Sequence, residues 1–251
     1  KFITRTPVEK FLTRGGAVTG VKARGLAYYA PIVVNATGPW AYLVAGKGGQ
    51  DLPTAGIAHF YFTTRPDSGI ECPDSTPTLR DRDLRIYVRP SLGRLRVGMY
   101  ETMPLEQDMA ALPDDYDMRK MQPGADMPVL RALMEASAHR FVGFTEHTPV
   151  EWIAGIMGFT PDGAPLLGQI EGIAGLYHCA GFCGHGVTQS PAIGVLMAEL
   201  ILDGVCRYDL DEIAADRFSD LDPPLDRAAV RQKCVETYAG YYGPARSEVQ
   251  R

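Results

Sequence analysis

A chain of 251 residues can bury a sizeable core, in one large domain or two smaller ones. Its 45% apolar and 22% charged residues suit an ordinary globular protein, and a net charge of −5 without a basic run argues against nucleic acid or an anionic membrane as partner. No apolar run is long enough to span a bilayer and no secretory leader opens the chain.

The chain begins at Lys1 rather than Met, so an upstream segment is expected. Residues 1–45 read as strands and turns: Lys1–Arg5, Val8–Thr13, a Gly15-Gly16 turn, Val18–Ala23 and Ala30–Ala36. The last is continuously apolar, as in strands buried on both faces of a parallel sheet, and runs into Thr37-Gly38-Pro39-Trp40 and a helix. Ligands of open α/β sheets gather at the carboxyl ends of strands, which makes Ala36–Trp40 a candidate cofactor segment. The alternative is a plain strand-to-helix turn with Trp40 in the core. No G-x-G-x-x-G fingerprint is present: Gly15–Gly20 has alanine in place of the second glycine and lies in a hairpin.

Residues 51–150 change character. Strands are expected at His59–Thr64, Leu84–Pro90 and Arg94–Glu101, the last two flanking a Ser91-Leu92-Gly93 turn. Alternation sets Leu84, Ile86 and Val88 on one face and Arg85, Tyr87 and Arg89 on the other, with Arg85 read as solvated. Arg65–Asp83 is polar and turn-rich, Asp108–Met127 is a candidate loop or lid, and Met127–Phe141 has helical periodicity. His59 is a candidate to face a pocket.

Residues 154–204 organise the rest. A Thr160-Pro161-Asp162-Gly163 turn precedes an apolar strand, Gly175–Cys179, in which His178 reads as core. A glycine-rich crossing, Gly181-Phe182-Cys183-Gly184-His185-Gly186, then leads to a helix. Ser190 is expected as its N-cap with Pro191 at the first position, Val195, Leu196, Leu200 and Ile201 as its apolar face, and Gly204 as its stop. Strand, glycine loop and helix start make an anion- or cofactor-binding corner, since glycines admit close approach and the helix start presents free N–H groups. A second helix is expected over Asp226–Ala239, with Tyr238, Tyr241 and Tyr242 packed. Five cysteines without a CxxC pair suggest reduced thiols, hence the cytoplasm or, in a eukaryote, the mitochondrial matrix.

GFTPDGAPLLG followed by GLYHCAGFCGHGVTQSPAIGVLMAELILDG resembles the C-terminal signature of the D-amino-acid-oxidase-like FAD-dependent oxidoreductases, nearest the sarcosine oxidase and dimethylglycine dehydrogenase branch. VVNATGPWA resembles the family's core-strand motif near the flavin. Thr6-Pro7-Val8 resembles a strand whose valine packs on the adenine end, and YVRP with LRVGMYE resembles the strand pair of the family's inserted domain. The resemblance implies an α/β chain (α+β overall): the C-terminal part of a Rossmann-like FAD-binding domain, residues 1–50 and 151–225, with an antiparallel-sheet substrate domain inserted over 51–150. A C-terminal helix and tail would occupy 226–251.

The same resemblance implies FAD as cofactor, held by Val8, Ala36, Thr37, Gly38, Trp40, Gly155, Asp162, Gly181 and Gly184–Thr188 (Gly184, His185, Gly186, Val187, Thr188). The helix start would meet the flavin N1–O2 edge, whose developing negative charge suits the helix dipole, and His185 would stand beside it. Several members carry an Arg before the TPDG turn as a carboxylate clamp; here Gly155–Thr160 holds none, which agrees with the dimethylglycine dehydrogenase branch. Tyr87 and Arg89 are the substitute candidates for substrate binding.

The expected reaction is hydride transfer from the C–H beside an amine nitrogen to flavin. N-methylated glycines such as sarcosine or dimethylglycine are the first substrate class, and glycine or D-amino acids the second. Oxygen or an electron-transfer protein would be the acceptor. A non-catalytic flavoprotein-like subunit or assembly factor is the alternative, and a Cys/His enzyme built on Cys183 a third reading. No His, Cys, Asp or Glu cluster has metal-ligand spacing.

Overall fold

The computed structural model describes residues 1–113, 116–117 and 128–241. Strands β1 (Val8–Arg14), β2 (Ala17–Ala23), β3 (Leu26–Tyr29) and β4 (Val33–Asn35) precede helix α1 (Ala41–Gly46). Strands β5 (Ala55–Thr64), β6 (Leu79–Asp81), β7 (Ile86–Ser91), β8 (Arg94–Met99) and β9 (Glu106–Gln107) lead to α2 (Pro128–Arg140). Strands β10 (Pro149–Phe159), β11 (Leu166–Gln169) and β12 (Leu176–Ala180) are followed by α3 (Gly186–Leu202) and α4 (Arg227–Tyr241). The chain divides into two compact units: Lys1–Gly56, Gln107–Ala111 and Met157–Thr237 form one, and the described residues of Ile57–Glu106, Leu112–Ile156 and Tyr238–Arg251 the other.

In the first unit β1, β2 and β3 form an antiparallel meander, while β4 lies parallel to β12 in a sheet ordered β11-β12-β4. Ala41 and Ala45 of α1 pack on Leu52, Leu166 and Ala180, and α3 buries Ile193 and Met197 against Leu167 and Tyr177. The parallel β4–β12 pair brings both strand ends to one edge, which positions the glycine crossing.

In the second unit an antiparallel sheet runs β10-β5-β8-β7-β6, with β9 also paired to β5. The Ser91-Leu92-Gly93 turn closes the β7–β8 hairpin in the register Ile86↔Met99 to Ser91↔Arg94. Ile86 and Val88 are buried with Phe62, Val97 and the α2 residues Leu133 and Ala136, while Leu84 packs at the edge of that cluster. Alternation turns His59 and Tyr61 of β5 away from the face that holds Phe60 and Phe62.

Several expectations are corrected. Lys1–Arg5 forms no strand, and Phe2 is 99% exposed with no ladder partner for its backbone among the described residues. The strand expected at Ala30–Ala36 shortens to Val33–Asn35, because Pro31 has no N–H for a ladder. Nor is it buried on both faces: it is the outer strand of its sheet here, and Val34 is 40% exposed. Helix α3 begins at Gly186, not after Ser190, so Pro191 lies inside it. The missing Pro191 N–H leaves the Val187 carbonyl without its helical donor, and the Ser190 hydroxyl donates to that carbonyl at 3.0 Å instead. Val195 is exposed, the buried face being Ile193 and Met197. Gly204, at φ +73°, follows the last turn as expected. Arg85 is not solvated: its guanidinium donates to the carbonyls of Tyr100 (2.6 Å), Glu101 (3.4 Å) and Ala239 (2.6 Å). The candidate lid over Asp108–Met127 falls largely outside the described residues, as does Tyr242. Among the described residues no helix is long and apolar enough to cross a membrane.

Candidate functional site

The glycine crossing of the first unit is a sharply folded corner. Gly181, Cys183 and Gly184 all have positive φ, at 70°, 50° and 82°. A Cβ at Gly181 would stand 2.4 Å from Thr160 Cγ2, so only glycine lets the loop lie on the Thr160-Pro161-Asp162-Gly163 turn. Thr160, fully buried, ties that turn together: its Oγ1 donates to the Ala164 carbonyl at 2.8 Å and accepts the Gly163 N–H at 3.1 Å. The Cys183 N–H reaches the Gly158 carbonyl at 3.0 Å, and a Cβ added at Gly158 would stand 3.6 Å from the Gly38-Pro39 backbone. Three separate segments, 35–40, 158–163 and 181–188, therefore meet at the ends of β4 and β12.

Beneath them runs a buried polar chain. Asn35 Nδ2 donates to the Ala41 carbonyl (2.9 Å) and faces His178 Nδ1 (3.2 Å), while Thr37 Oγ1 donates to Asn35 Oδ1 (2.7 Å). His178 Nε2 meets Gln50 Oε1 at 2.8 Å, and Gln50 Nε2 donates to the Ile170 carbonyl. With Asn35 Nδ2 a donor, Nδ1 must accept and Nε2 must carry the proton, so the ring is neutral. Burial agrees, pushing its pKa down to about 4. His178 is thus core, as expected, and anchors the segment carrying Ala36–Trp40.

Above this frame Gly186, Val187 and Thr188 occupy the first turn of α3, where N–H groups have no intrahelical acceptor; the first such bond runs from Gln189 N–H to the His185 carbonyl. Val187 is 93% exposed and Trp40 40% exposed. His185 stands half-buried at the N-cap position with no side-chain cap bond, its N–H given to the Phe182 carbonyl. Asp162 is held: both its oxygens accept from the Arg217 fork at 2.8 Å, and Oδ1 also accepts the Ala164 N–H. Burial alone would raise its carboxyl, but the Arg217 fork and that amide outweigh it and keep it below the usual carboxylate range. Val8 lies in the meander sheet, in β1. Gly155 lies in β10, within the second unit, whereas the other cofactor candidates belong to the first. Cys183 is buried, its Sγ donating to the Gly181 carbonyl, and burial pushes the thiol up rather than down. That is the opposite of an activated nucleophile, and it removes the ground for the Cys/His reading.

The second unit holds another polar cluster. Tyr87 is half-buried on β7 with its hydroxyl 3.1 Å from His59 Nε2, while Arg89 is exposed on the same face. His59 Nδ1 lies 2.9 Å from the Tyr238 hydroxyl, which donates to Glu101 Oε2. His59 is buried and bonded through both nitrogens; burial lowers its pKa to about 3. Glu101 is 3% exposed and forms part of the wall of a cavity of about 460 Å³ with Arg85, Met103, Leu105, Val129 and Ala132. Gly98 makes room for Tyr87, since a Cβ there would stand 2.3 Å from Tyr87 Cζ. Gly98→Ala is accordingly expected to swing the Tyr87 ring off His59 and cost roughly 1–3 kcal/mol. In a Tyr87→Ala background the same change should be nearly silent, and an equal cost in both backgrounds by urea unfolding would refute the contact.

From the sequence Tyr87 is a candidate for substrate binding and His59 a candidate to face a pocket, while Glu101, Tyr238, Asn35, Gln50 and Arg217 carry no functional expectation. Only the strand expected over Arg94–Glu101 touches Glu101, and nothing local marks the others.

The model of the family described as FAD dependent oxidoreductase (DAO) matches residues 1–200. Human mitochondrial sarcosine dehydrogenase is 28% identical over 228 residues, covering 90% of this chain and 24% of its own length. The mouse mitochondrial pyruvate dehydrogenase phosphatase regulatory subunit is 26% identical over 243 residues, covering 92% of this chain and 26% of its own. The crystal structure of L-proline dehydrogenase from P. horikoshii superposes with a TM-score of 0.69 at 27% identity, over 85% of this chain and 54% of that one. The chain thus spans about a quarter of the length of these curated relatives.

Proposed function

The chain belongs to the FAD-dependent oxidoreductase family, and from that premise we propose that it oxidises the C–N bond of an amine, with an N-methylated glycine such as sarcosine or dimethylglycine as first substrate class and glycine or a D-amino acid as second. The observation that carries this reading is the glycine corner. It opens at the ends of two parallel strands onto the first turn of a 17-residue helix, beside the exposed side chains of Val187 and Trp40. Backbone donors beside apolar surface fit a flat heteroaromatic ring whose polar edge takes negative charge.

In this reading Gly184–Thr188 hold the N1–O2 edge of FAD, with His185 beside it, and Ala36–Gly38 and Trp40 line the neighbouring wall. Val8, Gly155, Asp162 and Gly181 complete the proposed cofactor set, Asp162 and Gly181 by shaping the corner. The flavin supplies the two-electron acceptor. The first unit serves as the cofactor domain and the second as the substrate domain, where Tyr87 and exposed Arg89 meet the amine and its carboxylate. Oxygen or an electron-transfer protein reoxidises the flavin. The five free cysteines and the mitochondrial relatives support a reducing compartment, cytoplasm or mitochondrial matrix.

The test is the visible spectrum of the protein with any upstream segment, reconstituted with FAD and titrated anaerobically with sarcosine, dimethylglycine and D-alanine. Bleaching by one of them is expected. A protein that binds no flavin, or whose flavin no amine bleaches, would leave the second reading, a non-catalytic subunit, which the likeness to a relative named as a regulatory subunit supports. Arg89→Ala is expected to raise the Michaelis constant at least tenfold, as loss of a charge-assisted carboxylate bond of about 1.5–3 kcal/mol requires. An unchanged constant removes Arg89 from the site.

A further inference from the structure

Tyr87, His59, Tyr238 and Glu101 form an unbroken hydrogen-bonded row inside the second unit, and every member can both donate and accept. We propose that this row is a proton relay in which Glu101 is the terminal base, taking up through Tyr238 and His59 the proton that a protonated amine gives to Tyr87. The proposal rests on the amine-oxidation reading, and Glu101 and Tyr238 act as positioning residues, since neither meets the substrate.

The step balances without redox change. The ammonium N–H proton passes to Tyr87 Oη as the Tyr87 hydroxyl proton moves to His59 Nε2. The proton on Nδ1 moves to Tyr238 Oη, and the Tyr238 hydroxyl proton moves to Glu101 Oε2. A neutral amine and a neutral carboxylic acid result. The amine must lose its proton to release the lone pair that hydride departure requires.

Three features support the direction. His59 is buried and kept neutral, so the imidazole passes the proton on by exchanging tautomers and never holds the charge. The Glu101 carboxyl, buried at 3% exposure, borders the cavity. Water entering that cavity can carry away the proton that the carboxyl takes up. Desolvation raises the carboxyl to about 7, so it can both take and release a proton near neutrality.

The groups facing Glu101 agree. Tyr238 of α4 donates to it, and the N–H groups of Phe60 and of Glu101 itself point at it. Arg85 lowers its pKa only as a minor contribution, its Nε and Nη2 being given to main-chain carbonyls. Tyr100 beside it is held by Arg80 at 3.3 Å. Helix α2 presents Val129 and Ala132, and the loop after Glu101 presents Thr102, Met103 and Leu105, none of them charged.

The relay makes a prediction that needs no flavin. With Glu101 ionised, Tyr238 donates to it, His59 carries its proton on Nδ1, and Tyr87 donates to Nε2. With Glu101 protonated on Oε2 the row reverses and His59 carries its proton on Nε2. Nitrogen NMR of the full-length holoprotein labelled in its histidines should therefore show His59 exchanging tautomer near pH 7. His178, fixed by Asn35 and Gln50, is the internal reference. Glu101→Gln and Tyr238→Phe should abolish the exchange, and Glu101→Asp should restore it. In parallel, the anaerobic rate of flavin reduction by sarcosine should break near pH 7, and Glu101→Gln should remove the break and slow reduction tenfold or more. A His59 tautomer that ignores both pH and Glu101→Gln overturns the relay. Tautomer exchange without any amine-dependent reduction would uphold the relay and overturn the amine reading instead.

Discussion

Gly181→Ala is expected to lower the thermal midpoint by roughly 5–15 °C, more than any other single glycine change in the corner. Its φ of +70° carries the left-handed penalty of an L-residue, on the order of 1–2 kcal/mol. The added methyl would also stand 2.4 Å from Thr160 Cγ2, an overpacking worth roughly 1–3 kcal/mol. Together these make about 2–5 kcal/mol, and a chain of this length loses about 2–4 °C per kcal/mol. Gly204→Ala is the control: it has a similar φ of +73° but nothing within 4 Å, so only the conformational part remains. Thr160→Ser, which removes the opposing methyl and keeps the hydroxyl that binds Gly163 and Ala164, should recover much of the loss in the double variant. Equal midpoint shifts for Gly181→Ala and Gly204→Ala, or no recovery by Thr160→Ser, would show that the corner is not packed as described.

Folding stability should be greatest near pH 7 and fall toward pH 4.5 by roughly 2–3 kcal/mol. Burial lowers His178 to about 4 and His59 to about 3, against an unfolded value near 6.5. Between those limits the unfolded chain binds more protons than the folded one, so each histidine withdraws about 1.4 kcal/mol per pH unit as the pH falls. Glu101 has the opposite sign. Raised to about 7, it stabilises the fold fully below its unfolded value of about 4.5 and loses that contribution as the pH rises to 7. From pH 6.5 to 4.5 two histidines act against one carboxyl, and the histidines win by about 1.4 kcal/mol per unit. Above pH 6.5 the unfolded histidines, half-protonated there, and Glu101 lose their protons together, so the opposing contributions nearly cancel and stability levels off near pH 7. Urea midpoints measured each half unit from pH 4.5 to 7.5 would check the acid limb and the plateau. His178→Gln should flatten the acid limb, since its share then disappears and the Glu101 contribution cancels that of His59. Stability that holds level or rises down to pH 4.5 would contradict the burial of these rings.

The two sites differ in how far each could be read from the chain. The glycine crossing, the TPDG turn, the β7–β8 hairpin and the stop of α3 at Gly204 are written in adjacent residues. Turn chemistry and hydrophobic period act over a few positions, so they survive translation into sequence. The start of α3 was not legible, because proline inside a helix is ordinarily excluded and here one hydroxyl, that of Ser190, takes the carbonyl it leaves. Arg85 on a polar strand face looked solvated, yet three carbonyls from distant segments take its guanidinium.

By itself the sequence determined the β7–β8 hairpin, the stop of α3 at Gly204, the family signature and the glycine crossing that leads into a helix. Tertiary structure decided which side chains act together. Tyr238 lies 179 positions from His59 and 137 from Glu101, and no local pattern relates them. Their proton affinities were decided there too: desolvation lowers an imidazole and raises a carboxyl only once packing has removed the water around them.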